Sequence, residues 1–370
     1  MTAPASAALA CLVSLCWLPG CSSESVDKGD GDGGAVNGNL DGRSVQFTVE
    51  PDRRTFVELS KPSEVTLDGD GQDSIAWDVA LQGRDVFTNG GISGPGNSSA
   101  FGPLSAPTFL TDTAPEVPLM LKDRAGGSLF DWYDYAGGSM HQLYSRYHVY
   151  GLRDGERLFK LQILSYYGEE LGAPVPALYH VRYAEVTADG VLETHEVSGI
   201  DATAGGSKDD DAQPSGCLEL DSEEVTPLTP AQAQRSDAWQ LCFRREIVSV
   251  NGGLSGPRGM QAVDLEAAAT LDETEAEIQK RTAATEQKLF DGVDYAALND
   301  ATLVYRPDGV LTAFGQRWLE PGSDPLALSD SVWLVIGADG ASKYLLKFAD
   351  LSGDPASESA TLSLVAKSVH

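Results

Sequence analysis

Basic residues are scarce in this chain. It holds 26 Lys and Arg against 55 Asp and Glu, a formal net charge of -29. Such a surface repels phosphate backbones and anionic lipid head groups. Nucleic acid is therefore excluded as a partner, and so is adhesion to a membrane through a basic face. Histidine is rarer still: His141, His148, His180, His195 and His370 are the full set. No G-x-S-x-G elbow, H-E-x-x-H pair or Walker loop occurs, so the expectation is a protein without catalysis. Acidic pairs abound in a chain of this composition and do not by themselves indicate a glycosidase. Long hydrophobic runs are also missing. The charge-free apolar stretch Ala7 to Leu18 is too short to span a bilayer.

That stretch has the length of a signal-peptide core, and Leu18-Pro19-Gly20-Cys21 follows it directly. The tetrapeptide resembles the bacterial lipobox, whose Cys becomes an acylated N-terminus. The expectation is a lipoprotein signal peptide over 1–20 and a palmitate-type lipid on Cys21. Ser22 after the Cys resembles the pattern sent to the outer membrane. The expected location is thus the cell envelope, facing the periplasm or the exterior, with the membrane as partner through the lipid. Residues 21–38 are Gly, Asp and Ser with almost nothing to bury, an acidic tether. Asp30, Asp32, Asp68, Asp70 and Asp73 lack the full ligand spacing of a calcium loop and read as solvated turns.

Cys11 and Cys16 leave with the leader, and Cys21 takes the lipid. Cys217 and Cys242 remain. An even pair in an oxidising compartment reads as a disulfide, with two buried free thiols as the alternative.

The rest is turn-rich and β-patterned. Ser44 to Val49 alternates, and Thr55 to Leu59 and Glu64 to Leu67 flank the turn Lys61-Pro62-Ser63. Tyr147 to Tyr150 and Leu158 to Tyr167 flank Arg153-Asp154-Gly155, a strong hairpin signal. Leu178 to Val186 extends the meander. One pattern then recurs. Trp77 to Pro95 aligns without a gap on Trp239 to Pro257, and Asn89-Gly90-Gly91 falls on Asn251-Gly252-Gly253. The hairpin around Asp154-Gly155 recurs more loosely around Asp339-Gly340. The sequence therefore predicts an all-β chain of two tandem antiparallel domains of one repeated type, 39–188 and 189–370. Within the second, 203–216 reads as a disordered loop. The segment 272–290 reads as one surface helix, its start marked by Asp272 and Glu275 at capping-box spacing. The recurring glycine loop reads as a tight turn that needs positive φ. Trp132-Tyr133-Asp134-Tyr135 reads as sheet packing or as the wall of an apolar pocket.

Taken in order, Trp77-Asp-Val-Ala80, Thr88-Asn-Gly-Gly-Ile-Ser-Gly94, Trp132-Tyr133-x-Tyr135 and Tyr147 to Tyr167 resemble the HmuY family. Those are exported all-β lipoproteins of Gram-negative bacteria whose best-known members bind haem and pass it to an outer-membrane receptor. The resemblance is close over about 40–190 and weaker over 217–370. It implies haem as cofactor in the first domain, with axial ligands drawn from His or Met before the last hairpin. The candidates there are His141, Met140, Met120 and His148, since imidazole nitrogen and thioether sulfur both ligate haem iron. No metal beyond that iron is expected. The alternative is a surface interaction or scaffold lipoprotein that keeps the fold without the ligand.

Overall fold

The computed structural model describes residues 42–67, 69, 71–136, 142–205, 212–270 and 272–370. Expectations for the leader, the tether, Cys21, Asp68, Asp70, Met140 and His141 lie outside the described residues. Strand accounts for 46% of the described residues and helix for 7%, so the fold is all-β.

Two five-stranded antiparallel sheets dominate. The first runs in the order Arg43–Val49, Ala360–Val369, Lys343–Ser352, Ser331–Ile336, Ser99–Ser105. The second runs Gly190–Asp201, Ala173–Thr187, Arg157–Glu170, Val149–Asp154, Gln261–Asp264. The two lists correspond strand for strand. Two four-stranded sheets repeat the same way: Ser63–Val65, Thr55–Glu58, Val79–Gln82, Asp85–Thr88, and Val225–Leu228, Ser215–Leu218, Leu241–Arg244, Ile247–Val250. Each small sheet covers the inner face of one large sheet. One core gathers Val57, Val79, Leu81, Trp333, Leu346 and Leu364. The other gathers Leu161, Tyr179, Val181, Leu241, Phe243 and Val250. Alternation explains the layers. Along Arg43–Val49, Phe47 and Val49 are buried while Ser44, Gln46 and Thr48 stay exposed.

The repeats exist, but neither completes its own sheet. The opening strands of the first repeat pair with the closing strands of the second, Arg43 opposite Ala366 and Ser105 opposite Ser331. The second repeat returns the exchange, with Arg153 opposite Gln261. Residues 42–123 and 309–370 thus build one assembly, and 124–308 build the other. The expected boundary at 188 falls instead inside a continuous sheet, at the turn where Thr187 pairs with Gly190. The chain crosses itself at a two-stranded ribbon, Arg124 opposite Leu311 and Gly126 opposite Gly309. Burial pattern fixes which face of a strand is apolar, and either repeat's hairpin meets that requirement equally.

Two further differences are local. Ser215 and Gly216, expected in the loop 203–216, are the start of a strand opposite Leu228 and Pro227. Both are buried there, and Gly216 packs on Ile200 and Val225. The expected helix 272–290 is two short turns, Glu275–Ile278 and Gln287–Asp291. Thr282 and Thr285 break it by exchanging hydrogen bonds, each backbone N–H donating to the other's hydroxyl. Such side chains compete with the helical ladder. The cap lies two residues later than expected, where the Thr274 N–H donates to Glu277 Oε2 at 3.0 Å.

A tyrosine-walled cleft and its ionic border

The recurring glycine loop is framework. Asn89 Nδ2 donates to the carbonyls of Ser74 and Trp77, and its Oδ1 accepts from Gly96 N. Asn251 does the same with Ser236, Trp239 and Arg258. Gly91 and Gly253 sit at φ 62° and 59°. A Cβ on either would lie 2.0 Å from the carbonyl oxygen of Asp123 or Asp308. The pattern that revealed the duplication therefore serves backbone packing.

Trp132 is buried as well. It packs on Tyr179 with ring centroids 5.3 Å apart, and its Nε1 donates to the Glu246 carbonyl at 2.7 Å. This settles the first aromatic of that segment as packing. Tyr135 at its end is half exposed.

A cleft of about 300 Å³ opens beside this aromatic group. Tyr144 and Tyr147 wall it on one side, Tyr166 and Tyr167 on another, and Leu143 and Leu164 line it as well. Ile278 and Arg281, from the segment that distinguishes the second repeat, close it. The strand Gln142–Ser145 gives the cleft one edge and is paired with Tyr133–Ala136. A hydrogen bond from Leu143 N to the Tyr167 hydroxyl, 3.1 Å long, ties that edge to the large sheet. Burial pushes the Tyr147 and Tyr166 hydroxyls up from their ordinary pKa, so both stay protonated.

An ionic cluster borders the cleft. His148 is buried, with Nδ1 2.8 Å from Asp264 and Nε2 3.1 Å from Glu273. Glu273 also accepts from Arg146 Nη1 at 2.7 Å and contacts Arg281. Arg281 Nη1 donates to the Arg146 carbonyl at 2.6 Å. Burial works against a charged His148, but hydrogen bonds and charge from Asp264 and Glu273 outweigh it and raise the pKa. Nearby, burial lifts the Glu266 carboxyl to about 7, although Val149 N donates to it.

The two candidate ligands among the described residues, Met120 and His148, thus lie in separate surroundings. Both ring nitrogens of His148 are engaged by carboxylates. Met120 packs with Phe109, Val332 and Leu345 on the outer face of the other large sheet. The structure does not bring Met120 and His148 together. Among the described residues no group of three or more His, Cys, Asp or Glu side chains is placed to hold a metal ion. No described helix is long and apolar enough to cross a membrane.

Sequence reasoning missed Asp264, Glu273, Ile278 and Arg281. The one available signal was that an insertion present in a single repeat carries Glu273, Ile278 and Arg281, whereas Asp264 ends a strand that both repeats share. Their partner Arg146 is 127 residues from Glu273, a contact no local pattern encodes. Cys217 and Cys242 face each other in register on neighbouring strands and form a disulfide. Comparison with known proteins found no matching family model and no matching curated protein.

Proposed function

We propose that this chain is an exported, lipid-anchored binding protein of HmuY type that takes a flat aromatic ligand of the haem class in the tyrosine-walled cleft and performs no catalysis. The observation that carries the reading is the position of the cleft. Its edge strand Gln142–Ser145 begins directly after Met140-His141, two of the four ligand candidates that the resemblance implies. The described residues suit a macrocycle. Four tyrosines with Leu143 and Leu164 offer apolar, stackable surface. When bound, haem would supply an iron that accepts an imidazole or thioether donor. In this reading Cys21 holds the lipid at the outer membrane, and an outer-membrane receptor is the downstream partner.

The test is a haemin titration of the protein from Asn39 onward, followed by visible absorption, beside His141→Ala and Met140→Ala. A saturable Soret band that weakens in either variant is expected. No band, or one insensitive to both changes, overturns the haem reading. A second reading, a scaffold lipoprotein without the ligand, draws on the engagement of His148 and the packing of Met120. It is the reading that survives a negative titration. Mass spectrometry of the membrane-extracted chain tests the anchor, which predicts acylation lost in Cys21→Ala.

A further inference from the structure

We propose that Glu273–Arg281 is a hinged strap over the cleft, latched by the Glu273 carboxylate, and that its opening governs ligand entry. The proposal rests on the cleft being the ligand site. Three features of the segment carry it.

First, the strap fills space that a ligand would need. Ile278 is 1% exposed and lines the cleft together with Arg281. With Ile278 in place the cleft holds about 300 Å³, the lower end of the range for small-molecule sites. Withdrawing the strap enlarges it without disturbing either large sheet.

Second, its two ends are held by different physics. The far end is fixed. Phe290, Val293 and Leu298 are buried against Val149, Leu158, Ala184 and Val186. Lys160 Nζ adds bonds to the carbonyls of Phe290 and Val293, at 2.8 and 2.9 Å. The near end is held by Ile278, by the hydrogen bond from Arg281 to the Arg146 carbonyl and by one buried carboxylate. Arg146, His148 and Arg281 all converge on Glu273, whose side chain is 6% exposed. Buried charge of this kind is all-or-none. While every partner is present it is satisfied, and a lost partner leaves uncompensated charge.

Third, a hinge separates the ends. The reciprocal Thr282 and Thr285 hydrogen bonds end one turn before the next begins, so the near turn can swing as a unit.

Hydrogen exchange read by mass spectrometry on the described chain tests this without any ligand. Amides of Glu275–Arg281 should exchange faster than those of Gln287–Leu298 in the wild type. Glu273→Gln should speed the first group about tenfold and leave the second unchanged, since a hydrogen bond to a charged group is lost at one end only. Equal protection of the two groups, or loosening of both together in Glu273→Gln, overturns the strap. Should Glu273→Gln fail to fold, the wild-type comparison still decides. Stopped-flow mixing with haemin gives the second readout, in which Ile278→Ala and Glu273→Gln should associate severalfold faster. Unchanged association rates overturn the gating role. Differential exchange without haemin binding in any form upholds the strap and removes the haem reading, so the two failures are distinct.

Discussion

Asp308 belongs to the second repeat, yet its carboxylate accepts the backbone N–H of Ser128 in the first, at 3.1 Å. Asp123 mirrors it by accepting Ala313 N at 2.9 Å. Each carboxylate also takes an amide from the neighbouring small sheet, Val250 N for Asp308 and Thr88 N for Asp123. These pairs lie at the crossing of the exchanged arms. Asp123→Ala and Asp308→Ala should each destabilise the chain by about 2–4 kcal/mol, because buried amides are orphaned. Urea unfolding is the check, and comparable losses in the two variants are expected from their equivalent settings.

Asp123 also makes stability depend on pH. Burial raises its carboxyl to about 6, against the hydrogen bonds that oppose the rise. The folded state therefore holds a proton that the unfolded chain has released. Stability is full below about pH 4 and is lost as pH rises from there to about 6, by roughly 3 kcal/mol for this group. Asp123→Asn should abolish that part of the decline, seen as a flatter plot of unfolding free energy against pH over the same window.

Glycine at the crossing is required by space as well as by φ. Gly91→Ala and Gly253→Ala drive a methyl group into a backbone carbonyl, and each should cost more than about 3 kcal/mol or prevent folding. Gly155 has a similar φ of 62° but nothing within 4 Å of its virtual Cβ. Gly155→Ala should cost only about 1–2 kcal/mol. Thermal or urea melts of the three variants separate backbone conformation from collision.

The disulfide closes a sequence separation of 25 residues. Its removal in Cys217→Ala/Cys242→Ala should lower stability by about 3 kcal/mol. A reducing agent should do the same to the wild type and nothing to the double variant, as measured by paired urea titrations.

The sequence made some of this legible. The hairpin at Asp154-Gly155, the cysteine pair and the recurrence of Asn89-Gly90-Gly91 are local or self-similar patterns, and each has its counterpart in the structure. The exchange of arms left no such trace. Nothing along Ser99–Ser105 names its neighbour, and Val149–Asp154 and Ser331–Ile336 are both apolar strands that could take that place. The broken helix was hidden because Ala, Glu and Lys favour helix, while the competing bonds of Thr282 and Thr285 depend on their final geometry. The cleft was half visible. Tyr147, Tyr166 and Tyr167 stand in the segment that carries the resemblance, whereas Tyr144 lies outside it and Ile278 and Arg281 arrive from a distant insertion.

The crossing also sets the order in which the molecule is built. A chain made from its N-terminus finishes Ser99–Ser105 long before Ser331–Ile336 exists, and at typical synthesis rates the wait is about 10–40 s. By the end of that interval the segment 124–308 has all it needs to close, while the opening strands still hold bare hydrogen-bonding edges. The opening strands are therefore among the last to find their partners, and a chain halted between Asp308 and Ser331 would leave one assembly complete and the other with open strand edges.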